Sequence, residues 1–169
     1  MMALGNLPCK TDANGSLIVS LDPSSVVKLN GTTTNDNAAA GIKGEYIVAQ
    51  VLAGAPVSLV NATAKTVTSI ALTAGDWDVV GIVDYTANGA TVVTALQQGI
   101  GVAADTLGAQ DTFTSADLGI TGPSVDPAIV TPTVRVSLAA PATIYLIAQA
   151  TFSVNTLVAY GSIRARRVR

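Results

Sequence analysis

Between Gly75 and Thr86 apolar and polar positions alternate. Trp77, Val79, Gly81, Val83 and Tyr85 fall on one side of an extended chain, and Asp76, Asp78, Val80, Ile82 and Asp84 fall on the other. A period of two marks a strand. Further strands are predicted over Tyr46–Leu52, Ala55–Leu59, Thr66–Leu72, Thr91–Val102, Thr133–Leu138, Thr143–Phe152 and Leu157–Val168, rich in Thr, Val and Ile and bounded by turn residues. Asn88-Gly89 separates two of them, so 75–102 is expected to be a hairpin. Ala103–Val130 carries Pro123, Pro127, Asp105, Asp111, Asp117 and Asp126 and reads as a loop-rich excursion. No stretch keeps an i, i+3, i+4, i+7 apolar pattern, so the chain reads as all-β.

Upstream, Asp12-Ala13-Asn14-Gly15 is a strong turn sequence before a short strand at Ser16–Leu21, and Ser25–Leu29 follows Asp22-Pro23 as another. From Asn30 to Gly44 the chain is small, polar and Gly-flanked. Three parts are therefore expected: an N-terminal arm over 1–30, a linker or loop over 31–44, and a β-sandwich over 45–169. About eight strands at spacings of roughly 8–12 residues point to a sandwich of jelly-roll type preceded by a short extended arm. The arm carries Leu17, Ile18, Val19, Leu21, Val26, Val27 and Leu29, too many apolar residues for a free tail. Such short strands need a neighbour. These seven residues are the candidate attachment residues, able to add to a partner's sheet edge or to a sister subunit.

Composition narrows the chemistry. The 169 residues contain no His and one Cys, Cys9. Serine–histidine and cysteine–histidine catalysis, His-ligated metals, intrachain disulfides and multi-cysteine metal sites are excluded. Charged residues are 12% and net charge is −2, so neither nucleic acid nor an anionic membrane is an expected partner. Met1–Ser16 lacks a basic and then apolar leader, and Val134–Phe152 is interrupted by Arg135, Pro141 and Gln149, which excludes it as a membrane helix. So few charges leave much Ala, Val and Thr for the surface, which predicts a homo-oligomer.

Four local patterns invite a function. Gly99-Ile-Gly101-Val-Ala-Ala104 fits a dinucleotide-binding spacing but opens no helix, so glycines easing a strand are the better reading. Asp76, Asp78 and Asp84 share a strand face where a cation or a catalytic pair is imaginable, although a solvated outer face explains them more simply. Asn14, Asn30 and Asn61 begin glycosylation sequons, read as chance matches in a Thr-rich chain. Arg164, Arg166, Arg167 and Arg169 crowd the C-terminus. Without interleaved aromatics a base-stacking arm lacks its platform. An edge or subunit-interface strand pairing arginine with carboxylate is expected instead.

Gly31-Thr-Thr-Thr-Asn-Asp-Asn-Ala-Ala-Ala-Gly41 followed by Gly44-Glu-Tyr46, then Ser69-Ile-Ala-Leu-Thr-Ala-Gly-Asp-Trp-Asp-Val79, resemble a β-domain of tailed-bacteriophage fibre and head-decoration proteins. The closing run Val134-Arg-Val-Ser-Leu138, Ile144-Tyr-Leu-Ile-Ala-Gln-Ala-Thr-Phe152 and Ala159-Tyr-Gly-Ser-Ile-Arg-Ala-Arg-Arg167 is similar to the same group. The resemblance covers about residues 31–169, as three separated blocks in one order. It implies a trimeric, non-enzymatic virion structural protein without a cofactor. The implied partners are sister subunits and the major capsid protein or another virion protein.

An arm of about 30 residues spans at most ~100 Å, which suits a capsid anchor better than a tail stalk. The expectation is a capsid decoration or short head-fibre protein, made in the host cytoplasm and located in the virion. The alternative is a tail-fibre module contacting a host surface receptor, with Trp77 and Ala103–Val130 as its features. A depolymerase using Asp76, Asp78 or Asp84 is the weakest alternative.

Overall fold

The computed structural model describes the chain at residues 9–11, 17–19, 36–121 and 126–169. It divides into two compact units, Met1–Asn35 and Asp36–Arg169. In the first unit β1 (Cys9–Thr11) pairs antiparallel with β2 (Leu17–Val19), setting Cys9 opposite Val19. The backbone of Leu17, Ile18 and Val19 is thus in a strand. The attachment candidates Leu21, Val26, Val27 and Leu29, and the strand expected at Ser25–Leu29, lie outside the described residues.

The second unit is an all-β sandwich. Its strands are β3 (Tyr46–Val51), β4 (Val57–Ser58), β5 (Lys65–Leu72), β6 (Gly75–Ala87), β7 (Val92–Gly101), β8 (Phe113–Thr121), β9 (Ala128–Val130), β10 (Val134–Leu138), β11 (Ala142–Ser153) and β12 (Leu157–Arg167). The first sheet runs β10-β6-β12-β3, with β4 also on β12 and β9 also on β6; the second runs β5-β11-β7-β8. With the short β4 and β9 set aside, the pairing is nested: β3 with β12, β5 with β11, β6 with β10, β7 with β8. That is an antiparallel ribbon rolled into two layers.

Two expectations are corrected here. The segment 75–102 is not a hairpin, because β6 and β7 lie in different sheets. Both edges of β6 are occupied, one by β12 along its length and the other by β10 and β9. No edge is left for β7, so the chain turns at Asn88-Gly89 from one layer to the other. The loop-rich excursion also contains the short β9 and a longer strand, β8. Its sequence, with Ser115, Asp117 and Gly119, lacks a clean apolar alternation, but as an edge strand it needs a partner on one side only, and β7 supplies it. Ala103–Gly108 does form a loop.

The alternation in β6 sets the core. Trp77, Val79, Val83 and Tyr85 are fully buried, in one core with Leu157 and Ile163 of the neighbouring β12 and with Leu96, Ile144 and Leu146 of the other layer. Among the described residues buried side-chain polar atoms are paired, with the exception of Asp76 Oδ1. The Tyr85 hydroxyl donates toward the Gln97 carbonyl at 2.8 Å and lies 3.1 Å from Gln98 Oε1. Gln98 Nε2 donates in turn to the Thr114 carbonyl at 3.2 Å, so the network ties the two sheets together. Burial pushes the Tyr85 phenol well above its ordinary 10.0.

Gly161 lies where β12 meets β6. Its φ is +149°, and a Cβ there would sit 2.0 Å from the Ile82 carbonyl oxygen. Gly161→Ala should therefore destabilise the fold by about 2 kcal/mol or more in urea denaturation. Gly54→Ala, where a Cβ meets nothing within 4 Å, should leave the midpoint nearly unchanged.

Candidate functional site

The outer face of the first sheet gathers most of the polar residues singled out from sequence. Residues that alternate with the core positions point outward: Tyr46, Val48 and Gln50 from β3, Arg166, Arg164, Ser162, Tyr160 and Val158 from β12, and Asp78, Val80, Ile82, Asp84 and Thr86 from β6. The register places Arg166 opposite Tyr46 and Asp78, Arg164 opposite Val48 and Val80, Ser162 opposite Gln50 and Ile82, and Tyr160 opposite Asp84.

Asp76, Asp78 and Asp84 share that side of β6 but do different things. Asp76 is buried, and its Oδ2 accepts from Arg135 at 3.1 Å and Arg169 at 2.6 Å. The Ser137 hydroxyl, followed by those guanidiniums, holds its carboxyl below the ordinary 3.8 against the opposing effect of burial. A carboxylate neutralised in this way is poorly suited to act as a base or a metal ligand. Asp78 is exposed. Asp84 is half-buried, and burial, then the Asp126 charge, raises its pKa above 3.8. Asp126 accepts from the Thr86 hydroxyl at 2.8 Å. Among the described residues no group of three His, Cys, Asp or Glu side chains gathers to hold a metal.

The four C-terminal arginines separate into three roles, and the expected interface set needs correction. Strand β12 is interior to its sheet, between β6 and β3, not an edge. Arg167 shares the parity of Ile163 and Ala165 and turns inward. Its guanidinium sits 4.2 Å from the Trp77 ring centroid, pairs with Glu45 at 2.9 Å, and donates to the Ala74 carbonyl at 2.9 Å and to the Thr73 hydroxyl. It is 5% exposed and cannot serve a subunit contact. Space for it comes from Gly75, φ +136°, where a Cβ would fall 2.0 Å from Nη1. Arg169 is committed to Asp76. Arg164 and Arg166 remain exposed and make no ion pair among the described residues.

Glu45, the buried partner of Arg167, went unnoticed in the sequence. Its one signal was a lone acid at the start of an apolar strand. The Gly41 N–H donates to its Oε2 at 2.8 Å. That bond, with Arg167 beside it, holds the carboxyl below its ordinary 4.5 although burial opposes.

Gly99-Ile-Gly101-Val-Ala-Ala104 closes β7 and enters a loop, with no helix to present N–H groups to a phosphate. A Cβ on Gly99 would fall 2.6 Å from the Phe113 Cβ, and one on Gly101 would fall 2.8 Å from the Thr106 carbonyl. These glycines allow close backbone packing. Asp105 pins the loop to β5, accepting from the Thr66 N–H at 2.7 Å while its own N–H donates to the Thr66 hydroxyl at 2.9 Å. Asn61 uses its side chain within the fold, accepting from the Phe152 N–H at 2.9 Å. Asn14 and Asn30 lie outside the described residues.

At the far end of the same face, Gln50, Leu52, Ile82, Asp84, Tyr160 and Ser162 line an open groove of 370 Å³. The groove is open, and it brings an acid and a phenol ring together, a combination whose chemistry suits a cationic or hydrogen-bonding group. Compared with protein-family models and with curated proteins, the chain matches none.

Proposed function

We propose that this chain is a structural protein of a tailed-bacteriophage virion, a capsid decoration or short head-fibre protein held to the head through its N-terminal segment. The observation that carries the reading is the polarity of the sandwich. The chain passes from the first unit into the second beside its own C-terminus. Asn37 bonds both backbone groups of Tyr46, at 2.6 and 2.8 Å, Gly44 N–H donates to the Arg167 carbonyl, and Val168 N–H donates to the Asp76 carbonyl. The turns at Asn88-Gly89 and at Val154-Asn155 lie at the opposite end of β6 and β12. A module entered at one end, with the turns at Asn88-Gly89 and Val154-Asn155 at the other, suits an anchored surface protein.

Two further features support this reading. The nested strand order favours a jelly-roll sandwich, an architecture used by viral capsid domains, and that support is by analogy of fold. Trp77 is fully buried and cannot stack on a sugar, which tells against the receptor-binding alternative. In this reading the protein is non-enzymatic, needs no cofactor, assembles with itself as a trimer, and contacts a capsid or other virion protein.

The test compares the full chain with one beginning at Asp36, which keeps both sheets of the sandwich and the Asn37 anchor. Both are offered to virions stripped of the protein, and electron microscopy locates what binds. The full chain should bind the head, and the shortened chain should keep its circular dichroism and melting temperature but not bind. Equal binding by both would defeat the arm assignment. Failure of the full chain to bind any part of the particle would defeat the virion reading.

A further inference from the structure

We propose that the outer face of the first sheet is a self-complementary docking surface for a second copy of this chain, with a two-fold axis at Ser162. The argument is one of register. On β12, Arg164 and Tyr160 are equally spaced about Ser162, as are Arg166 and Val158. Tyr160 stands opposite Asp84, and Val158 opposite Thr86, the residue that holds Asp126. An antiparallel copy laid face to face about Ser162 therefore sets Arg164 over the groove of Asp84 and Tyr160, and Arg166, with Asp78 beside it, over Val158 and the Thr86 that holds Asp126. Two-fold symmetry repeats both pairings at the other end.

The chemistry matches the geometry. Arg164 and Arg166 are cations with no ion-pair partner among the described residues. Asp84 and Asp126 are neighbouring acids with no ion-pair partner there either, and burial together with the mutual charge already disfavours ionised Asp84. A guanidinium from a second copy supplies what both acids lack, and the Tyr160 ring gives it a face to stack on. Between the charged ends the face is mixed, with Gln50 and Ser162 in its central row beside apolar side chains. Val48 and Val130 are 55% and 50% exposed, and the half-buried Val80 and Ile82 lie between them. Ser162 on the axis is small enough for two sheets to approach at the usual spacing of about 10 Å.

This pairing does not depend on the virion reading, and its test can fail separately. The full chain is studied by sedimentation equilibrium in two charge-reversed forms, Arg164→Glu with Arg166→Glu, and Asp84→Arg with Asp126→Arg. The unaltered chain should show an even number of copies, two or, if trimers also form, six. Each reversed form alone should lose the pairing by a factor on the order of 100 or more, since like charges then face each other. An equimolar mixture of the two forms should pair again, because the acidic face of one meets the basic face of the other. Ser162→Trp places bulk on the axis and should also separate the copies, whatever the folding of the charge variants. Only odd-numbered species in the unaltered chain, a mixture of folded variants that fails to pair, or pairing that survives Ser162→Trp would each overturn the proposal. A trimer indifferent to all these changes would do so while leaving the virion reading intact.

Discussion

Arg167→Leu is expected to cost about 3–5 kcal/mol of folding stability, the range for breaking a buried ion pair by removing one partner. The loss does not stop at the pair. The guanidinium also stacks on Trp77 and donates to Thr73 and Ala74, so its removal leaves Glu45, itself buried, as an uncompensated charge. Pairing Arg167→Leu with Glu45→Leu should restore much of the loss, because a buried pair replaced by apolar groups is close to neutral. Urea denaturation followed by circular dichroism measures both. Equal destabilisation in the single and double variants would show that stacking and packing, not the charge left behind, dominate.

The same pair predicts a pH dependence. Glu45 has a folded pKa below its ordinary 4.5, so the unfolded chain takes up the proton first as pH falls. Its contribution is complete above about pH 4.5 and is lost as pH drops through the lower folded value. Asp76 acts in the same direction below 3.8. Asp84 acts oppositely: its raised folded pKa means that ionisation opposes folding at higher pH, and acid relieves that cost. The net expectation is stability that falls in acid, with a shallower fall when Glu45 and Arg167 are both replaced. An unchanged acid limb in that double variant would remove Glu45 from the account.

Trp77→Ala should be comparably severe, about 3–5 kcal/mol, the usual range for deleting a large buried aromatic. Trp77 is fully buried, its Nε1–H donates to the Thr73 carbonyl at 3.0 Å, and its ring carries Arg167. The substitution empties the end of the first sheet's inner face, where β6 meets the last residue of β12, and removes the surface on which Arg167 lies. Because the two residues touch, the losses from Trp77→Ala and Arg167→Leu should sum to more than the double variant shows. Circular dichroism is the appropriate probe, since Trp77 is the sole tryptophan. A Trp77→Ala protein as stable as the parent would mean that the core does not depend on this ring.

Much of the strand pattern was legible because side-chain alternation is local. Whatever sheet β6 joins, Trp77, Val79, Val83 and Tyr85 must fall on one side and Asp76, Asp78 and Asp84 on the other. The parity that turns Arg167 inward was equally present, since it matches Ile163 and Ala165, but the charge on the residue masked it. Alternation states which side a residue takes, and only the neighbours state whether a cation on that side is tolerated. Here Gly75 makes room, Glu45 supplies the counter-charge and Trp77 supplies the ring.

The sequence by itself thus determined that the chain is all-β, where most strands run, and which residues of each could face a core. Only the tertiary structure decided which strands share a sheet. Adjacent strands separated by a tight turn look like a hairpin in one dimension, yet β6 had both edges occupied by strands distant in sequence, and β7 was sent to the other layer. The edge strand β8 was hidden for the converse reason: its own residues specify little, and its backbone is held by the free edge of β7. Side-chain alternation follows from bond geometry within a few residues, whereas edge occupancy depends on the whole chain competing for a limited number of backbone partners.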